Sequence, residues 1–333
     1  MSQSQVPEII LYHYTFSPYA KRIVWYLNFR KIPYTQCLQP PTLPRPDIKA
    51  LGTNYRRIPI LSIGRDIYND TRLILSKLDQ LFPPSSVHPS ISAPEHKGLE
   101  KLFEKWSIDG GLFRTAGALL PAELPLLKDP KFRRDREDYT GTSWSPENVA
   151  RGRAEALVEM KSSFEMVENN FLRDGREWIA GTKEPSLTDI EAIWLFHWLN
   201  GLPGALPVEF KQQFPKVFAW VDRFDKVTRA AAKEAGKPKT VKGPEAREII
   251  QGSGFAESEG QVERSDPSGL RKGTTVEVWP TDSGFNHKDR GVLVGLTEKE
   301  IVVEGEMEDG TGVRVHAPRH GFRMREAKGG ANL

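Results

Sequence analysis

In the stretch FSPYAKRIVWYL, Ser17 stands directly after an apolar run and directly before an amphipathic one, with Pro18 behind it and Lys21 and Arg22 within one turn. The first turn of a helix presents unpaired N–H groups and the positive end of the dipole. A serine there either caps the helix or helps to hold an anion, thiolate or phosphate against it. In RRIPIL, Ile58-Pro59 opens a strand. Proline at that position loses a ladder donor, so it belongs at an edge or in a cis bond, and the cis form leaves the backbone of Ile58 free to pair with an extended ligand. In NDTRLIL, Asp70-Thr71 opens a helix. The plain reading is an N-cap; the alternative is that the N–H groups and the Thr71 hydroxyl hold a carboxylate while Asp70 pairs with an ammonium.

These residues need a scaffold. Over 7–86 the pattern runs strand, helix, strand, short helix, strand, strand, helix, with a turn at Gly64-Arg65 between the last two strands. A parallel pair with a crossover helix, followed by a hairpin, predicts a compact α/β layer. Pro83-Pro84-Ser85-Ser86 opens a connection, and residues 94–237 are helical in period almost throughout. This predicts an all-α bundle with a polar insertion near Lys128–Tyr139. Residues 238–269, rich in Gly, Pro, Ser and charge, read as a linker with one helical candidate, GPEAREIIQG. From 270 to 326 the runs TTVEVWP, RGVLVGLT, EIVVEGEM, GVRVHAP and GFRMREA predict a small antiparallel, SH3-like β-barrel.

Composition narrows the function. The 333 residues carry a net charge of +3, so no global polyelectrolyte character points to nucleic acid or a membrane surface as partner. Residues 271–326 hold nine Lys/Arg against ten Asp/Glu, and Trp279, Phe285 and Phe322 are too few aromatics for a peptide groove. A structural use of that segment is expected. The single cysteine, Cys37, excludes an internal disulfide and a cysteine-rich metal site, and reads as a small core residue. No apolar stretch approaches a membrane span, and the N-terminus lacks the pattern of a secretory signal. A soluble, cytoplasmic protein is expected, with no metal.

The order of the motifs resembles the glutathione transferase superfamily: strand–Ser–Pro–helix, Ile-Pro before a hairpin, Asp-Thr before a helix, then an all-α domain. FSPYAKRIVWYL is similar to the omega-class pattern Phe-Cys-Pro-Phe/Tyr-Ala-x-Arg, with Ser17 where that class has its cysteine. Arg45-Pro46-Asp47 sits where the family carries a basic residue toward the glycine end of glutathione. Ile58-Pro59 matches the Val-Pro, and Asp70-Thr71 the Glu/Asp-Ser that binds the γ-glutamyl group. SLTDIEA resembles the family's buried capping box, with Ser186 and Asp189 as its pair. The wording is closest to fungal members.

The resemblance implies a thioredoxin-like domain followed by the transferase helical domain, with glutathione as cosubstrate or cofactor. Glutathione would lie against Ser17, Pro18, Tyr19, Arg45, Ile58, Pro59, Asp70 and Thr71. A hydrophobic substrate pocket would be lined by Tyr14, Trp106, Asp109, Phe113 and Trp194. Serine in place of cysteine excludes mixed-disulfide chemistry and implies a hydrogen bond to the glutathione thiolate; Tyr14, at the end of the first strand, is the rival for that role. The implied activity is thiolate attack on a hydrophobic electrophile, a secondary metabolite or xenobiotic. The alternatives are glutathione-dependent cis–trans isomerisation and a non-catalytic binding or regulatory protein. A homodimer is implied by the family. The complete transferase pattern upstream of the linker implies a C-terminal barrel dispensable for glutathione binding.

Overall fold

The computed structural model describes residues 6–327. Strand β1 (Ile9–His13) is buried along its whole length and apolar up to Tyr12, which places it inside a sheet and not at an edge. It pairs in parallel with β2 (Thr35–Leu38) and antiparallel with β3 (Ile60–Ile63), which pairs antiparallel with β4 (Asp66–Asn69). Helix α1 (Pro18–Phe29) makes the crossover. Pro18 suits its first position, where no N–H partner is needed, and Ser17 Oγ accepts from Ala20 N at 3.2 Å. The layer is completed by α2 (Pro46–Lys49) and α3 (Thr71–Leu81), the latter capped by Asp70, whose carboxylate accepts from Arg72 N at 3.0 Å.

The helical region comprises α4 (Lys97–Glu104), a π-helical turn over Lys105–Asp109, α5 (Leu112–Ala118), α6 (Pro125–Lys128), α7 (Pro130–Thr140), α8 (Pro146–Arg151), α9 (Arg153–Met166), α10 (Leu187–Asn200), α11 (Phe210–Gln213) and α12 (Pro215–Ala235). Its core is aromatic, with Phe164, Trp194, Phe196, Trp220 and Phe224 fully buried, and it merges with the α1–α3 face of the sheet. At the start of α10 the buried Asp189 carboxylate accepts from Ser186 N (2.9 Å), Ile179 N (2.9 Å) and Trp220 Nε1 (3.1 Å). Those donors satisfy a buried carboxyl group that, among the described residues, forms no salt bridge.

The stretch 238–269, expected as a linker, is part of the sheet. Strand β5 (Lys239–Val241) adds in parallel to β2, and α13 (Gly243–Gln251) packs against α2. The approach is close: a Cβ at Gly243 would stand 1.9 Å from Asp47 Oδ1, so a larger residue there would have to displace the Asp47 carboxylate. Further on, Arg65 N donates to Gly254 O at 3.1 Å. Val241, Ala246 and Ile250 of this stretch are buried on the second face of the sheet. A three-residue strand whose partner lies some 200 positions away has no local signature.

The five C-terminal runs form β6 (Thr275–Pro280), β7 (Asp289–Leu296), β8 (Glu300–Glu306), β9 (Gly312–Pro318) and β10 (Phe322–Glu326). They pair antiparallel, in the order β10-β6-β7-β8-β9. The five strands are the antiparallel unit expected over 270–326, and the segment does not stand apart from the first domain. β9 pairs in parallel with β4, aligning Tyr68 with His316, so one ten-stranded sheet runs through both halves of the molecule. Among the described residues β10 pairs only with β6. Pairing with β4 covers the outer edge of β9.

The seam is charged and buried. His316 Nε2 lies 3.0 Å from Asp66 Oδ1 and its Nδ1 3.2 Å from Glu300 Oε2, while Lys77 Nζ stands 2.7 Å from both Glu257 and Glu300. Glu257, Glu300 and His316 bring ligand-type atoms together. The Lys77 ammonium already supplies the cation there, so the group is an internal ion-pair cluster.

Asp289, on β7, reaches back to the first domain. It accepts from Thr53 Oγ1 (2.9 Å), Asn54 N (2.5 Å) and Asn69 Nδ2 (3.0 Å). Burial pushes its carboxyl up to about 6, against the pull of these donors. An unfolded aspartate titrates near about 3.9. Between those two values the folded chain therefore holds a proton that the unfolded chain has lost, so stability should fall as pH rises through this window and then level off. Asp289→Asn should remove that slope, at a cost of about 1–3 kcal/mol because its amide would face donors. Denaturant unfolding curves across the window check both.

Candidate functional site

Ser17, Ile58 and α7 border one cleft of about 50 Å³. Of the residues expected at the site, Tyr14, Ser17, Pro18, Tyr19, Arg45, Ile58 and Phe113 line it. Four more line it that the sequence reading did not single out: Arg56, Arg57, Arg136 and Tyr139. Two of these are the arginines written immediately before Ile58-Pro59, and the other two belong to the polar insertion. Four guanidiniums and three phenols meet there, and three of the guanidiniums are paired with carboxylates: Arg56 with Asp135 and Asp138, Arg57 with Asp282, and Arg136 with Asp135.

Ser17 is 2% exposed at the floor of the cleft. Its oxygen accepts from Ala20 N, which makes it the cap of α1. That bond uses a lone pair and leaves the hydroxyl proton to donate, so capping and anion binding do not exclude each other. Of the two nearby cations, Lys21 is half-buried and Arg22 is fully buried. Arg22 is spent elsewhere: it donates to Glu191 across the domain boundary, and its Nη1 donates to Thr71 Oγ1 at 2.6 Å. The expectation that Arg22 adds charge at the mouth of α1 is corrected; it braces Thr71.

The Ile58-Pro59 peptide is cis. Among the described residues the Ile58 backbone makes no hydrogen bond, so its N–H and C=O remain free at the cleft. Arg45 is 5% exposed and donates to three backbone carbonyls, at Pro40 (2.9 Å), Pro41 (3.0 Å) and Arg56. Burial pushes its guanidinium down to about 10. Its Cζ lies 6.0 Å from the Tyr14 ring centroid, and Tyr14 packs on Phe16 at 4.7 Å.

Asp70 and Thr71 stand behind this wall and not in it. Asp70 holds φ at 70°, a left-handed value uncommon outside glycine, and accepts bidentately from Arg72. Arg57 Nη1 approaches the same carboxylate at 3.7 Å. Together these cations hold the Asp70 carboxyl below the usual aspartate range, against its burial.

The expected hydrophobic pocket is redistributed. Phe113 stays at the cleft, packed on Tyr19 at 4.8 Å. Trp194 is fully buried beneath Tyr19, at 4.6 Å, and is core. Trp106 packs on Phe103 and Phe196 inside the bundle. Asp109 pairs with Arg72 (2.9 Å) and with His320 of the C-terminal sheet (2.8 Å), so it does not face the cleft. Cys37 is buried, and burial, aided by Asp47, pushes its thiol up to about 12, which rules it out as a ready nucleophile.

Residues 11–86 match the family model for the glutathione S-transferase N-terminal domain. Residues 115–233 match a model described as a domain of unknown function, DUF7962. A GST-like protein from Pseudomonas syringae superposes with a TM-score of 0.69 at 24% identity, over 96% of this chain and 99% of that one. The fold is glutathione-transferase-like. That coverage extends over the C-terminal strands of this chain. Rice GST1, solved in complex with glutathione, superposes at a TM-score of 0.50 and 14% identity, over 73% of this chain and 96% of that one. No curated protein matches. Among the described residues no helix is long and apolar enough to cross a membrane.

Proposed function

We propose that the chain binds glutathione in the cleft beside Ser17 and adds its thiolate to a hydrophobic electrophile. The observation that carries this reading is the convergence on one cleft of a helix start with a buried hydroxyl, the Ile58-Pro59 corner with its free backbone groups, and a buried arginine, Arg45, that among the described residues has carbonyl partners but no carboxylate. A tripeptide with two carboxylates and a thiol uses all three. Ser17 would donate to the sulfur, the backbone of Ile58 would pair with the cysteinyl unit, and Arg45 would take the glycine carboxylate. The thiol proton leaves to solvent, the sulfur lone pair forms the S–C bond, and the electrophile takes up the displaced electron pair. Tyr14 is the second candidate donor, and Phe113 with Tyr139 forms the aromatic side of the substrate position.

The cleft is about 50 Å³, against the few hundred typical of a small-molecule site, so glutathione and an electrophile alike require its walls to part. Retention of the full chain on immobilised glutathione, followed by turnover of a generic electrophile, tests the proposal. Retention with turnover supports it, retention without turnover leaves the binding protein, and failure on both removes glutathione from the account. A homodimer, if formed, would have to use a face other than the β4 edge, which β9 covers.

A further inference from the structure

The walls of the cleft are not equally rooted. Tyr19 of α1 and Phe113 of α5 reach it from the aromatic core, and Ile58 reaches it from the second core. α7 supplies Arg136 and Tyr139 without belonging to either. Seven of the eleven residues in PKFRRDREDYT carry charge, and the one buried side chain of the helix, Phe132, lies outside both cores.

Polar contacts hold α7 in place instead. Arg56 Nη2 lies 2.9 Å from Asp135 Oδ2, and its Nη1 donates to Asp138. Leu43 N donates to Asp135 Oδ1 at 2.8 Å, and Arg136 Nη2 donates to Pro41 O at 2.7 Å. From the β6–β7 connection, Gly284 N donates to Tyr139 O at 2.8 Å, and His287 Nε2 lies 3.0 Å from Asp138 Oδ2. Lifting the helix would return Arg56 and Asp135 to water together, and the recovered hydration offsets much of what their pairing contributes. An element with few buried apolar contacts opens at lower cost than the core around it. Its two ends are also broken from the neighbouring helices. Asp129 is extended (φ −76°, ψ 116°) and Gly141 is left-handed (φ 71°), and a few such residues suffice for a hinge.

We propose that α7 is a strap that swings about Asp129 and Gly141 to open the cleft, and that Arg56 is its latch, through Asp135 and Asp138. The strap itself stands on packing; that glutathione enters beneath it rests on the reading above.

Thiol labelling of the full chain tests the strap without glutathione. Ser17→Cys places a thiol on the cleft floor, and the buried Cys37 is the internal reference for wider unfolding. With a bulky maleimide, read peptide by peptide, the introduced thiol should react at least about tenfold faster than Cys37, because local opening costs less than unfolding. Asp138→Asn, which cuts a half-exposed pair, should speed that reaction by up to about fivefold. Asp135→Asn, which leaves the buried Arg56 unpaired, should speed it by about a hundredfold or more. Cys37 should be unchanged in both. Amide exchange over 130–140 should quicken in step, with that of α10 unchanged. If Asp135→Asn does not fold, Asp138→Asn and the amide exchange decide. Labelling of Ser17→Cys that neither variant alters, or that rises together with that of Cys37, overturns the strap. S-methylglutathione should protect the introduced thiol. Labelling that responds to the latch but not to this ligand leaves the strap standing and removes glutathione from the cleft.

Discussion

Truncation after Lys237 is expected to yield a chain that does not fold to a soluble, cooperative domain. The cut removes β5 from the edge of β2 and β9 from the edge of β4, leaving both outer strands of a four-stranded sheet unpaired. It strips Val241, Ala246, Ile250 and the β6–β10 side chains from the face that carries Ile10, Tyr12, Ile60 and Ile67. It also leaves Lys77 and Asp66 without Glu257, Glu300 and His316. Removing one partner of a buried ion pair costs about 3–5 kcal/mol, against a whole-domain stability of about 5–15 kcal/mol. Soluble yield and a thermal melt of the truncated chain check this. A cooperative melt close to that of the full chain would restore the dispensable barrel that the Gly/Pro-rich composition suggests.

Arg22→Met is the single substitution expected to cost most. Arg22 is fully buried, pairs with the buried Glu191 of α10, and braces Thr71 of α3, so three elements lean on one guanidinium. Without it Glu191 is an unpaired charge in the core, and about 3–5 kcal/mol should be lost. Burial already pushes the Glu191 carboxyl up to about 7 against the pull of Arg22. In the variant its folded value should rise further, so the folded state binds more protons than the unfolded one and the deficit grows as pH rises. Adding Glu191→Leu should recover a large part of the loss. Chemical denaturation of the two variants at several pH values checks this. A loss below about 1 kcal/mol, independent of pH, would show that the pair is a surface-grade interaction.

Local signals carried much of this. Ser17-Pro18, Ile58-Pro59 and Asp70-Thr71 mark the starts of α1, β3 and α3 because caps and prolines act on their immediate neighbours. The five alternating C-terminal runs are the five strands for the same reason. What stayed hidden depends on distant partners. Arg22 reads as a charge at a helix mouth until Glu191 is brought against it. Asp109 reads as a polar contact of the cleft until Arg72 and His320 claim it. Trp106 and Trp194 have the spacing of a core stripe or of a pocket, and only packing decides between them. The insertion 130–140 has no apolar face to predict its docking, yet its Arg136 and Tyr139 wall the cleft and its Asp135 and Asp138 hold Arg56.

The central claim is that the Ser17 hydroxyl stabilises a glutathione thiolate in this cleft. Its most direct test is a spectroscopic titration of the thiol of bound glutathione in the wild type, Ser17→Ala and Tyr14→Phe. One hydrogen bond to an anion is worth roughly 1.5–3 kcal/mol, or about one to two pH units. In the wild type the bound thiol should therefore ionise below its free value. In Ser17→Ala it should rise by that amount, with turnover falling about tenfold to a hundredfold and affinity little changed, while Tyr14→Phe should titrate as the wild type does. If the bound thiol ionises alike in the wild type and Ser17→Ala, and the variant loses only the roughly 1 kcal/mol of stability that belongs to a helix cap, the claim is contradicted.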